Sequence, residues 1–153
     1  MPRFVWLLLL AALGLAACAP PVTDVPSPMP TTAPPGDWSL RMTQAGGIMG
    51  LRRSVEISNS GQMSVTDERA GRTVTLQLAD DDLVRLESLL AQMDYLEVRS
   101  PAVCADCFVY DLSLERGDGR PWSVTLDDMS LDGSGLADLV GFVRTLMDEA
   151  LKN

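Results

Sequence analysis

"FVYDLSLERGDGRPWSVTLD", residues 108–127, is the stretch whose reading decides the fold. Phe108, Tyr110, Leu112 and Leu114 alternate with Val109, Asp111, Ser113 and Glu115. Successive side chains of a strand point to opposite faces, so this pattern predicts a strand with one buried face. Arg116 to Pro121 holds two glycines and turns the chain. Trp122, Val124 and Leu126 then alternate in the opposite direction. Two alternating runs around a Gly/Pro turn predict a β-hairpin, and hairpins build antiparallel sheets.

Upstream, the same period recurs. Trp38, Leu40 and Met42 predict a strand over 38–43, broken by Ala45-Gly46-Gly47. Leu51, Arg53, Val55 and Ile57 predict a second strand, ended by Asn59-Ser60-Gly61. Met63 and Val65 mark a third, followed by a turn from Asp67 to Gly71, and Val74, Leu76 and Leu78 mark a fourth. The period then lengthens. Leu83, Leu86, Leu89, Leu90 and Met93 follow helical spacing, with Asp80 as expected cap and Asp81 and Asp82 in the first turn, where acids interact favourably with the helix dipole. A last helix is predicted from Leu136, Leu139, Val140, Val143, Leu146, Met147 and Ala150, capped by Ser134. The order β-β-β-β-α-β-β-α implies an α+β fold: a mainly antiparallel sheet of six short strands with two helices on one face.

The N-terminus is of another kind. Arg3 precedes an apolar run that is too short for a membrane-spanning helix of about 20 residues. It reads as an export signal over 1–17. Leu15-Ala16-Ala17-Cys18 resembles the lipobox of bacterial lipoproteins. That resemblance implies cleavage before Cys18 and lipidation of its thiol and amine. Ala19 stands where an aspartate would resemble an inner-membrane retention signal, so the expected location is the periplasmic face of an outer membrane. Residues 19–36 carry seven of the ten prolines and predict an extended tether, 18–36 with its lipidated cysteine, reaching about 55 Å. Residues 37–153 then form one domain with a single core.

Charge and composition narrow the function. The chain has 21 acidic and 12 basic residues, and loss of Arg3 with the signal makes it more acidic still. Such a surface disfavours phosphate backbones, so no nucleic-acid partner is expected. There is no histidine, which removes the usual zinc ligand and the usual general base. No glycine-rich phosphate loop is present. Asp127, Asp128 and Asp132 match no EF-hand spacing and read as an acidic turn. A non-enzyme without metal or cofactor is expected.

Cys104 and Cys107 are the only cysteines of the folded part. Two cysteines are too few for a zinc site. A reactive pair would precede a helix, whose N-terminus lowers the thiol pKa, whereas this one runs into a strand. In an oxidising compartment the pair reads as a structural disulfide; free thiols and a thiol-active site are the alternatives. The chain-entropy model gives so small a ring about 2 kcal/mol, so it would stiffen a loop rather than hold the fold.

Three stretches occur in a familiar order: Gly46-Gly47-Ile48-Met49-Gly50-Leu51-Arg52-Arg53, then Ala105-Asp106 with Phe108, Tyr110 and Leu112, then Trp122 to Asp127 with its downstream helix. Together they resemble the emfourin family, small bacterial protein inhibitors of thermolysin-like zinc metalloproteases. The resemblance covers about residues 38–149. It departs at Ala45, where members usually carry serine, and at Cys107, where the residue is usually polar. The resemblance implies a protease-binding segment of Ala45, Gly46, Gly47, Ile48 and Met49, with Arg52 and Arg53 as rim charges; Arg53 shares the face of Leu51 and Val55, so the alternative for it is a strand-end position or an acidic partner. The expected partners are thus the membrane, through the lipid, and a metalloprotease. The second reading is an envelope structural or assembly lipoprotein with a non-protease partner.

Overall fold

The computed structural model describes residues 36–93, 104 and 106–152. The expected signal, Cys18 and nearly all of the tether lie outside the described residues. Six strands form one sheet: β1 (Trp38–Gly46), β2 (Leu51–Ser58), β3 (Gln62–Asp67), β4 (Arg72–Gln77), β5 (Phe108–Arg116) and β6 (Trp122–Asp127). Helix α1 (Asp80–Gln92) follows β4, and α2 (Asp128–Leu131) and α3 (Ala137–Lys152) follow β6. The sheet order is β4-β3-β2-β1-β5-β6, with every neighbouring pair antiparallel. The first four strands are a meander. The chain then crosses by α1 and lays the β5–β6 hairpin against β1, which becomes a central strand.

The alternation seen in the sequence sorts the two faces. Leu40, Met42, Val55, Ile57, Met63, Val65, Tyr110, Leu112, Leu114 and Leu126 all point to the helix side and are buried. Leu86 and Leu90 of α1 meet them, as do Val140, Val143 and Met147 of α3. Each such side chain contributes about 1.5–3 kcal/mol of burial. The other face is polar and solvated, as antiparallel sheets permit; Arg41, Glu56, Thr66 and Thr73 are on it. Arg53 is held by Asp67 at 3.2 Å and by Asp148 of α3 at 3.0 Å. It therefore ties the sheet to the helix layer and is not a free rim charge. The Asp67 carboxyl is held below its ordinary range, chiefly by the Ala70 N–H and further by Arg53.

Four local expectations are corrected. Ala45 and Gly46 do not break β1. They remain paired with Arg52 and Leu51 on one side and Val109 and Phe108 on the other, because two flanking strands outweigh local breakers. Asp80 is the first helical residue and not the cap. Ala79 holds the extended cap conformation and its carbonyl receives Leu83 N–H, so all three aspartates act on the dipole. Ser134 sits two residues before Leu136, whose carbonyl opens α3. Its hydroxyl receives Leu136 N–H and donates to the Leu131 carbonyl, joining α2 to α3. The acidic turn at 127–132 contains the short helix α2, with Asp127 and Ser130 as a reciprocal capping box.

Candidate functional site

The β1–β2 connection is a four-residue loop, Gly47 to Gly50, closed by Gly50 N–H to the Gly47 carbonyl at 3.0 Å. Gly47 and Gly50 have φ of +69° and +60°, a region glycine enters without steric cost. Ile48 and Met49 occupy the two central positions and point into solvent, 92% and 71% exposed. Ala45 lies on the solvated face of β1, just before the turn, and is half-buried. Residues 45–49, expected to act together, are therefore one contiguous tip.

Two segments remote in sequence hold this tip. On one side, Gly47 N–H donates to the Cys107 carbonyl at 3.2 Å. A side chain on Gly46 would run into that same carbonyl oxygen, and one on Gly47 would press on the Phe108 ring at 2.9 Å. Both glycines are needed for the close approach of β5 as well as for their backbone angles (Gly46 φ +108°). On the other side, Arg69 of the β3–β4 turn donates to the Met49 carbonyl at 2.6 Å. Next to it, Arg52 pairs with Glu68 at 3.0 Å on the exposed surface. Exposed pairs of that kind contribute at most about 1 kcal/mol.

The support continues beyond Phe108. Its N–H donates to Asp128 at 2.8 Å, and the same carboxylate accepts from the Tyr110 hydroxyl at 2.9 Å. Burial, and then the bond to Asp128, push the Tyr110 hydroxyl up to about 12. Asp128 opens α2, whose cap Asp127 accepts from Ser130 N–H at 2.8 Å. These acids serve backbone and hydroxyl donors. Among the described residues, no three acids and cysteines gather as a metal site would require. Met129, 71% exposed, lies one residue beyond Asp128, at the same end of the sheet.

Cys104 and Cys107 are joined in a disulfide. The sequence places the pair before β5 but does not reveal that the Cys107 carbonyl abuts the glycine turn. Phe108, Arg69, Asp128 and Met129 were likewise missed as parts of this edge. Their placement depends on pairing between strands: β1 with β5 for Phe108, with Asp128 and Met129 behind it, and β2 with β3 for Arg69. Only α2 left a local trace, the Asp127-x-x-Ser130 capping spacing.

No protein-family model matches the chain, and no curated protein sequence matches it. Among the described residues, no helix is long and apolar enough to cross a membrane.

Proposed function

We propose that the chain is a lipid-anchored envelope module that binds a thermolysin-like zinc metalloprotease and blocks it without chemistry of its own. The observation that carries the reading is the pair Ile48–Met49, exposed at the tip of a turn braced on both flanks. Leaving two large apolar side chains in water brings no folding benefit, whereas a preorganised apolar tip loses little entropy when a cleft accepts it. A protruding turn suits a narrow active-site groove, and the emfourin resemblance of residues 46–53 points to the same partner. The lipid at Cys18 and the Pro-rich tether would hold the domain within reach of an envelope or secreted protease.

The test is titration of a thermolysin-like protease with the non-lipidated mature chain. Stoichiometric inhibition at micromolar concentration is the expected result. Slow digestion of the chain without inhibition would refute the reading. Ile48→Asp with Met49→Asp should leave the fold intact and weaken inhibition at least about tenfold, as loss of interface anchors does. Unchanged inhibition by that variant would remove the tip from the site.

A further inference from the structure

The disulfide and the exposed tip are far apart in sequence and adjacent in space. Gly47 N–H ends on the Cys107 carbonyl. Gly46 pairs with Phe108, and the space a side chain would need at Gly46 is filled by that same carbonyl. The backbone at Cys107 is therefore the wall on which the turn is built. Two things fix this wall. On its C-terminal side, Phe108 enters β5 with its N–H on Asp128. On its N-terminal side, neither of the described residues Cys104 and Asp106 lies in a strand, and the bond to Cys104 ties the segment. Neither cysteine belongs to the buried apolar cluster, so opening the bond leaves the core packing in place. Its effect falls on the Cys107 carbonyl and on the turn that the carbonyl holds.

We propose that the Cys104–Cys107 bridge positions the Ile48–Met49 tip, so that reduction by a dithiol weakens capture of the target while the fold persists. In that step the dithiol supplies two electrons and two protons. The S–S bond breaks, each cysteine becomes a thiol, and the reductant closes to its own disulfide. The proposal rests on the tip being the docking element. It gives the pair a role that is neither catalytic nor merely global: the bridge acts through one backbone carbonyl.

The experiment uses the full mature chain in detergent, in three forms: oxidised, reduced by dithiothreitol and then desalted, and Cys104→Ser with Cys107→Ser. Amide exchange is read by NMR at Gly47 and, for comparison, at Val55 in the β2–β3 pairing. Gly47 should exchange about threefold to tenfold faster in both bridge-free forms, the weight of one net hydrogen bond, with Val55 unchanged. Inhibition of the protease should weaken by a similar factor. An unchanged Gly47 rate would overturn the proposal, and so would equal acceleration at Val55, which marks general destabilisation. If Gly47 loosens and inhibition holds, the link from bridge to capture is overturned. If the oxidised chain inhibits no such protease, the functional reading fails, and the exchange comparison still decides whether the bridge positions the tip.

Discussion

The β1–β2 and β5–β6 turns reverse the chain at opposite ends of one sheet, and they are built on different principles. The β5–β6 turn is exposed throughout 117–121, and its long side chains, Asp118 and Arg120, are charged. It closes partly on itself, with Gly119 N–H on the Arg116 carbonyl and Arg120 N–H on the Asp118 carboxylate, both at 3.0 Å, and is tied at its start by Gly117 N–H to the Asp37 carbonyl at 2.7 Å. A side chain added at Gly119 would meet nothing. The β1–β2 turn instead displays apolar side chains and is held by Cys107, Phe108 and Arg69. A turn that only redirects the chain can close at its apex on its own residues. One that must present Ile48 and Met49 in a fixed pose recruits distant backbone to hold it.

The glycines give the largest contrast. Gly46 (φ +108°) and Gly119 (φ +74°) both occupy the left-handed side, so alanine costs about 1–2 kcal/mol at either from backbone strain. At Gly46 the Cys107 carbonyl adds a steric overlap, worth a further 1–3 kcal/mol or so. Urea unfolding of Gly46→Ala and Gly119→Ala should therefore show the first as clearly the weaker protein. Equal losses would mean that the Cys107 segment yields freely, and the contrast between the two turns would collapse.

Asp128 comes next. Removing its carboxylate in Asp128→Ala strands the Phe108 N–H and the Tyr110 hydroxyl, a loss of about 2–3 kcal/mol. The variant also carries a pH signature. Tyr110 keeps its proton to about 12 against an ordinary 10.0. Its contribution to stability is thus complete below 10.0 and lost as pH rises toward 12. Without Asp128, the tyrosinate absorbance should grow in at lower pH, and this alkaline loss should be shallower. An unmoved titration would mean that burial alone sets it.

How much of this was legible beforehand follows from the range of the interactions. The 108–127 hairpin and the helix after Leu78 were readable because side-chain period is a local property. The apolar face of each strand was readable for the same reason. The wall behind Gly46 was not, since the register Gly46–Phe108 joins segments on either side of a whole meander and a helix. Arg53 could be suspected of pairing with an acid, because it shares the alternation of Leu51 and Val55. Nothing local pointed to Asp148. The residues of the tip were legible as a turn with apolar members; their bracing was not.

The opposite flank can be loosened more gently. Asp67 holds both Arg53 and the N–H of Ala70, and the latter shapes the turn from which Arg69 reaches Met49. The Asp67 carboxyl titrates below 3.8 in the folded chain. Its stabilisation is present above that value and lost as pH falls through the lower folded value. Asp67→Asn should flatten this part of the acid unfolding limb below about pH 4, followed by circular dichroism. A limb identical to that of the parent would show that Asp67 does not brace this flank.

The smallest effect on stability should come from the most exposed residues. Ile48→Ser with Met49→Ser removes side chains that touch little of the folded chain, so unfolding should shift by no more than about 0.5 kcal/mol. That near-zero is informative because the neighbouring glycines are expected to matter greatly. If the tip contributed to the fold, both classes of variant would destabilise together, and its apolar character would have a structural explanation. If only the scaffold variants destabilise, the tip is dispensable to the domain and its bracing serves an outside contact. Met129→Ser then sharpens the boundary. It lies at the same end of the sheet, beyond Asp128, and a further loss of binding at unchanged stability would extend the contact from the turn across β5 to α2.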